Sequence, residues 1–503
     1  MAISDDSNTG SRRPHGARRI GLFALAFGSG FAVLTIEIAG ARLIAPVFGL
    51  SAVPWTAVIG VILAALAVGS HLGGRLADQG RIPLSGVLVA AALTGALPAL
   101  GAGIPWVARD VLGFIGGALA SALILFAPAV LCLGAVVPYL IQADTESLGK
   151  VGRRAGDMGA AATAGSIVGT FMTGFILLPA FPLPVLLGLT AAGLLVMAGL
   201  SGWILGKRVS TAFIALGAIG LGTLGLASAQ LPADTLHQEQ TLYGSVQVTE
   251  RDWGGGRLVR ELWQNGDGSS AEYVDTGSPA FRYMIASGLI LESVMDDVES
   301  VLMLGGGALS LPAAFSRWKP EMRIDVVEID RAVTELAAEY FAYGKAEYPN
   351  IHVVHEDARV YVRSSEDLYD LIYLDVYDGS FTVPWTMVTV EAFTDMADRL
   401  EPDGLFVANV HAPLSGPGVV FLQRLRATAT EVFEEVQFYV TDAEADPTAM
   451  QNLILVASRD ASAVPSLEWP VASPEAAGRP LRDNWAPVEY LQARIALERI
   501  LRN

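Results

Sequence analysis

A run of glycines and a series of acids carry the clearest chemical signal in this sequence. Gly305, Gly306 and Gly307 close the apolar run "VLMLGGG". Glu328 and Asp330 end "RIDVVEID", Asp357 ends "IHVVHED", and Asp375 and Asp378 end "YDLIYLDVYD". Glycines let a backbone approach a ligand and open a helix N-terminus, whose N–H groups face it. Glu328 lies 23 positions after Gly305, where an acid can accept both hydroxyls of a ribose. Asp357 is placed to accept from an adenine amino group. Asp375 and Asp378, three apart, can bind a cationic substrate and take its proton. Each element alone has a bland reading, as a plain turn or a solvated strand end. The ordered set points to an adenosine-type site, working or ancestral.

These residues need a scaffold, and the sequence around them supplies one. The apolar runs "VLMLGG", "RIDVVEID", "IHVVHED", "YDLIYLDVYD", "GLFVANVH" and "QNLILVAS" read as buried strands, and helical stretches such as "RAVTELAAEYFAYG" separate them. Strands alternating with helices imply a mostly parallel sheet wrapped by helices. Ligands bind beyond the carboxyl ends of such strands, where the glycines and acids stand. Just upstream, "SVQVTERD" and "RLVRELWQNG" alternate like strands around a turn at residues 254–256. They predict a small β-rich module over 237–275. "FRYMIASGLILESV" predicts a helix that opens the larger α/β domain of residues 276–503.

The first half is a different body. Residues 1–230 hold 13 Lys/Arg against 8 Asp/Glu, and residues 231–503 hold 20 against 43. Mean hydropathy is +0.45, well above that of an ordinary water-soluble chain. Residues 1–19 form a basic N-terminus with Arg12, Arg13, Arg18 and Arg19. Over 20–230, about seven apolar stretches are long enough to span a bilayer: near 20–45, 54–74, 82–104, 116–141, 157–180, 182–205 and 210–230. The fourth contains Pro128 and can divide. The leading arginines place the N-terminus in the cytoplasm, and Arg75/Arg81, Lys150/Arg153/Arg154 and Lys207/Arg208 agree. Seven spans then put the acidic half outside, whereas a cytosolic nucleotide ligand argues for the inside, and the sequence leaves both open. "GSIVGTFMTG" sets Gly165, Gly169 and Gly174 near one helix face, for close packing. Glu37 and Arg42 in the first span fit either an ion pair or a functional path.

Composition also excludes classes. The acidic half lacks the basic face that nucleic acid demands. Cys132 is the single cysteine, so there is neither an intrachain disulfide nor a cysteine-based zinc cluster. His352, His355, Glu356 and Asp357 straddle a strand end, where alternation splits their side chains, so no metal is expected. Tyr377 and Trp385 fit either the wall of an apolar acceptor pocket or plain core packing.

The glycine and acid series resembles the spermidine synthase (polyamine aminopropyltransferase) family over about residues 240–460. "IEIAGARLIAPVFG" and "GSHLGGRLAD" resemble its membrane-fused branch. The resemblance implies a multi-span α-helical membrane domain, then a small β-rich module and a Rossmann-like, methyltransferase-type α/β domain. It implies decarboxylated S-adenosylmethionine as co-substrate, no metal, a small-molecule amine as acceptor, the lipid bilayer as surroundings and a homo-oligomer. Gly305, Gly306, Gly307, Glu328 and Asp357 would hold the nucleotide donor, with Asp375 as the catalytic acid. Asp378 would bind the amine, and Tyr283 is retained from the acceptor segment, here "PAFRYMI".

Departures from the family pattern open two other readings. Ala308 stands where the family has an acid after its glycines, Met284 and Ile285 replace a His–Glu pair, and Asn265–Gly266 replaces "LDG". One alternative is a methyltransferase using S-adenosylmethionine itself. The other is a transporter or sensor whose degenerate synthase domain binds without chemistry.

Overall fold

A computed structural model of the chain describes residues 15–49, 52–101, 103–145, 151–205, 217, 233–294, 296–377, 383–416 and 418–492. The chain divides into two compact units. One comprises Met1–Gly40, Val58–Ala102 and Ser121–Gln230, and the other Ala41–Ala57, Gly103–Ala120 and Leu231–Asn503.

The described residues of the first half are mostly helical. Its helices are α1 (His15–Phe48), α2 (Ala52–Gln79), α3 (Leu84–Gly95), α4 (Leu97–Leu100), α5 (Ile104–Leu125), α6 (Ala127–Asp144), α7 (Val151–Met172), α8 (Leu178–Ala180) and α9 (Leu183–Ile204). Among the described residues six helices are long and apolar enough to cross a membrane: Gly16–Phe48, Ala52–Gln79, Ile104–Leu125, Ala127–Asp144, Val151–Ala180 and Leu183–Ile204. Leu84–Leu100 is a shorter apolar helix. The fourth expected stretch does divide, and Pro128 sits in the first turn of α6, where its missing N–H costs nothing. The stretch at 210–230 lies outside the described residues, except residue 217.

Small residues set the packing of the first unit. A Cβ on Gly165 would stand 1.9 Å from the Phe27 carbonyl oxygen, and one on Gly169 2.8 Å from that of Phe31. So α1 and α7 meet backbone to backbone, as small residues permit in a membrane bundle. Gly174 differs from expectation: nothing stands within 4 Å of its Cβ position. It falls in a π-helical segment, Thr173–Leu177, whose wider turn takes it off the 3.6-residue face. Arg19 pairs with Asp157 at 2.6 Å and Arg154 with Asp144 at 2.6 Å.

The second unit holds two sheets. The first is antiparallel: β1 (Thr235–Gln240), β2 (Ser245–Asp252), β3 (Leu258–Gln264) and β4 (Asp267–Tyr273) in sequence order. The pattern of "SVQVTERD" and "RLVRELWQNG" predicts β2 and β3. The outer strands β1 and β4 are polar enough to hide from that reading. Arg42 of α1 belongs to this unit, donating to the carbonyls of Thr241 at 3.4 Å and Leu242 at 2.6 Å.

The second sheet has eight strands: β5 (Ser300–Leu304), β6 (Arg323–Val327), β7 (Ile351–Val354), β8 (Tyr369–Leu374), β9 (Leu400–Ala412), β10 (Glu435–Val440), β11 (Gln451–Ser458) and β12 (Val471–Ala472). Their order is β12-β10-β11-β9-β8-β5-β6-β7. Strands β5 to β9 pair in parallel, and β10 to β12 add antiparallel at one edge. The helices are α10 (Arg282–Leu291), α11 (Ser310–Trp318), α12 (Arg331–Tyr340), α13 (Ala358–Ser364), α14 (Val390–Ala397) and α15 (Val419–Ala429). Both faces are covered. Leu302 and Leu304 pack into one core with Ile372 and Phe406, while Val301 and Met303 pack into another with Ile324 and Leu371. Alternate residues of β5 thus feed opposite cores, which is why its sequence reads as an unbroken apolar run. After β7 the chain returns to the other side of β5 to lay down β8. That reversal opens a crevice at the carboxyl ends of β5 and β8.

Candidate active site

The crevice is a cleft of about 520 Å³, lined among others by Gly305, Glu328, Asp357, Asp375, Tyr377 and Asp267. The glycine loop leaves β5 with Gly305 at φ 95° and Gly307 at φ 49°, angles a side chain rarely adopts. A Cβ on Gly305 would stand 2.3 Å from the Asp375 carbonyl oxygen, and one on Gly307 2.4 Å from Ser270 Oγ. The loop is therefore wedged between β8 and β4.

Glu328, at the end of β6, is 7% exposed. Its Oε2 accepts from the N–H of Gly306 at 3.0 Å and Gly307 at 3.3 Å, and its Oε1 from the N–H of Asp330 at 3.0 Å. Burial raises its pKa, and those three N–H groups oppose the shift. Asp330 caps α12 through the N–H of Ala332 at 3.1 Å and accepts from Thr241 Oγ1. Asp357 caps α13, its Oδ1 accepting from the N–H of Arg359 and Val360 at 2.9 and 3.0 Å. No described residue donates to its Oδ2.

Asp375 ends β8 at the floor of the cleft. Asn409 donates to its Oδ1 at 2.9 Å, and Tyr283 reaches its carboxylate as well. Burial pushes the carboxyl up to about 6, against these hydrogen bonds. The Tyr283 hydroxyl also stands 3.0 Å from the Ser269 carbonyl oxygen. Tyr377 donates to the Asn409 carbonyl at 2.8 Å, and its ring meets that of His411 edge-on. Asn452 donates to Asn409 Oδ1 at 2.9 Å. The result is a polar chain, Asn452–Asn409–Asp375–Tyr283, in which Asn409 is oriented by its neighbours to give its N–H to the acid.

Several expected residues separate. Asp378 lies outside the described residues. Trp385 is 39% exposed and does not line the cleft, although its neighbours Pro384 and Thr386 do. It therefore does not wall the pocket. Met284 lines the cleft and is buried, while Ile285 is 43% exposed and turned away. His355 meets Thr334 Oγ1 at 2.8 Å, away from the cap that Asp357 makes. Ala308 is fully buried among Val246, Val248 and Leu262. The position after the glycines therefore faces an apolar core, and only its N–H is used, donating to Ser270 Oγ at 3.0 Å.

The sequence reading missed Asn409, His411, Asn452 and Asp267, all cleft residues. Asn409 and His411 alternate at the end of "GLFVANVH", and that spacing was the available signal. His411 is held neutral, since burial lowers its pKa to about 4.

The chain is similar to known proteins over this region. The description "Spermine/spermidine synthase domain" matches residues 284–464. Over those residues the chain is similar to spermine/spermidine synthase domains. It is 29% identical over 308 residues to a polyamine aminopropyltransferase of Mycobacterium tuberculosis, covering 57% of each chain. It is 28% identical over 183 residues to that of Vibrio vulnificus, covering 35% of this chain and 58% of the relative. The chain spans about a third to under three fifths of the length of the curated relatives it matches. A crystal structure of a probable spermidine synthase from Corynebacterium glutamicum aligns with a TM-score of 0.39 at 26% identity, over 46% of this chain and 81% of that one. Within the matched residues the glycine loop, Glu328, Asp357 and Asp375 share one cleft.

Proposed function

We propose that this protein is a membrane-anchored aminopropyltransferase-like enzyme. It takes decarboxylated S-adenosylmethionine as donor and a small amine as acceptor. The observation that carries this reading is the Asp375 carboxyl, held by Asn409 in one cleft with the glycine loop, Glu328 and Asp357. Glu328 and Asp357 are assigned the ribose and adenine ends, and Gly305–Gly307 the passage of the sulfur-bearing chain. Tyr283 and Tyr377 orient the acceptor, with Asp378 as its distal anchor. Membrane anchoring is assigned to the six apolar helices.

The donor is a sulfonium, already activated for displacement. The acceptor nitrogen's lone pair forms a bond to the methylene carbon beside sulfur. The carbon–sulfur bond breaks, its electron pair stays on sulfur, and methylthioadenosine leaves. The proton shed by the amine passes to Asp375, whose pKa near 6 suits a base working near neutrality. Alignment of the two reactants in the cleft supplies much of the acceleration. The acidic cleft favours cationic ligands.

A second reading has its own observation. Met284, Asn409, His411 and Asn452 make the far end of the cleft uncharged, which suits a domain that binds without turnover. One experiment separates the readings. Full-length protein in detergent is incubated with decarboxylated S-adenosylmethionine and a pool of polyamines, and products are read by mass spectrometry. Methylthioadenosine is the expected product. Release of S-adenosylhomocysteine from S-adenosylmethionine instead identifies a methyltransferase. Tight nucleotide binding with no product identifies the binding protein.

A further inference from the structure

The cleft contains an acid that the reading above leaves unused. The carboxylates of Glu328, Asp330, Asp357 and Asp375 each accept hydrogen bonds from the protein. Asp267 lines the same cleft, yet its carboxylate accepts no hydrogen bond from a described residue. Keeping an ionised carboxylate partly out of water without a donor is costly. Burial accordingly pushes its pKa up to about 6, and the charge of Arg109 opposes that shift.

Its position is fixed rather than incidental. The β3–β4 turn runs through Asn265 at φ 53° and Gly266 at φ 84°, the left-handed pair that a two-residue hairpin turn requires. Asn265 Oδ1 accepts from the Ser245 N–H at 3.0 Å. A Cβ on Gly266 would stand 2.5 Å from the Pro46 carbonyl oxygen, so the turn is closely packed. Asp267 then starts the strand that bridges the two halves of the site. On β4 the Ser269 carbonyl meets the Tyr283 hydroxyl beside Asp375, and Ser270 Oγ accepts the Ala308 N–H of the glycine loop.

We propose that Asp267 is an ammonium anchor of this cleft, pairing with a primary ammonium carried by the bound donor or by the amine acceptor. The inference rests on the aminopropyl-transfer reading. Ala308, sealed into an apolar core, offers no charge at the glycine loop, and β4, which packs against that loop, carries one into the cleft.

The test uses full-length protein in detergent and three probes: methylthioadenosine, which has no ammonium, decarboxylated S-adenosylmethionine, and putrescine. D267N is expected to bind methylthioadenosine as wild type does. It should lose about tenfold or more either in donor affinity or in the KM for putrescine. The first loss assigns the donor's ammonium and the second the acceptor's. D267E should recover part of it. Wild-type values for both donor and putrescine in D267N overturn the proposal. Should D267N lose methylthioadenosine binding, Asp267→Ser is read the same way, and equal loss of all three probes in both variants overturns the anchor role. If wild type binds no methylthioadenosine, the aminopropyl-transfer reading falls first and takes this inference with it.

Discussion

At the residue scale the proposed chemistry turns on Asp375. Its carboxyl is raised from 3.8 to about 6 by burial. A base must be ionised to work, so kcat/KM should fall tenfold per unit as pH drops below about 6. A profile flat down to pH 4.5 would count against the role. The same shift has a stability consequence. The folded pKa lies above the unfolded one, so the folded state holds the extra proton between about pH 4 and 6. Stability is therefore lost as pH rises through that window, by about 3 kcal/mol in all. D375N, which carries no charge to bury, should unfold at a higher temperature than wild type at pH 7.5 and nearly the same temperature at pH 4. Calorimetry at the two pH values checks this. The glycines and acids were legible in the sequence because each closes an apolar strand. Asn409 and Asn452 were not, because amides that act by orienting a carboxylate carry no charge pattern. The fate of Ala308 was not legible either, since only the packed β2 and β3 show that its side chain faces Val246 and Leu262.

At the element scale one helix start is assigned a second duty. Asp357 caps α13 and is assigned the adenine amino group, and these duties separate by substitution. Asp357→Asn should keep the cap nearly intact and lower nucleotide affinity. Asp357→Ala should do the same and also destabilise the fold by about 1 kcal/mol. Denaturant melts of both variants beside nucleotide titrations test this, and equal stabilities would remove the cap's contribution. Gly305 marks the other element. Gly305→Ala puts a methyl group against the Asp375 carbonyl at a φ of 95°. It should cost about 1–3 kcal/mol and abolish methylthioadenosine binding, which calorimetric titration reads directly. Unchanged binding would show that the loop need not stay wedged against β8. The β5-to-β9 series was legible because buried parallel strands read as apolar runs. The polar edge strands β1 and β4 lacked that signature, and β4 turns out to carry Asp267.

At the scale of the whole molecule, the sequence divides into an apolar helical half and an acidic α/β half, and the described elements follow that division. Helices long and apolar enough to cross a membrane were legible from hydropathy alone. Their boundaries were not, because Pro128 can either interrupt a span or open a helix, and here it opens α6. The arginines at the start of the chain predict a cytoplasmic N-terminus. A cysteine introduced at Ser7, in a chain with Cys132 replaced by Ser, should react with a membrane-impermeant reagent only after cells are permeabilised. Labelling of intact cells would reverse that orientation.

The cleft is proposed to transfer an aminopropyl group with Asp375 as base. The most direct measurement is methylthioadenosine release from decarboxylated S-adenosylmethionine and a polyamine pool, by wild type and by Asp375→Asn, with methylthioadenosine affinity measured on both. Release by wild type, a loss of about 10²–10⁴-fold in kcat for the variant and equal affinities are expected. Release that survives the substitution would contradict the role of Asp375, and no release from wild type with affinity intact would contradict catalysis itself.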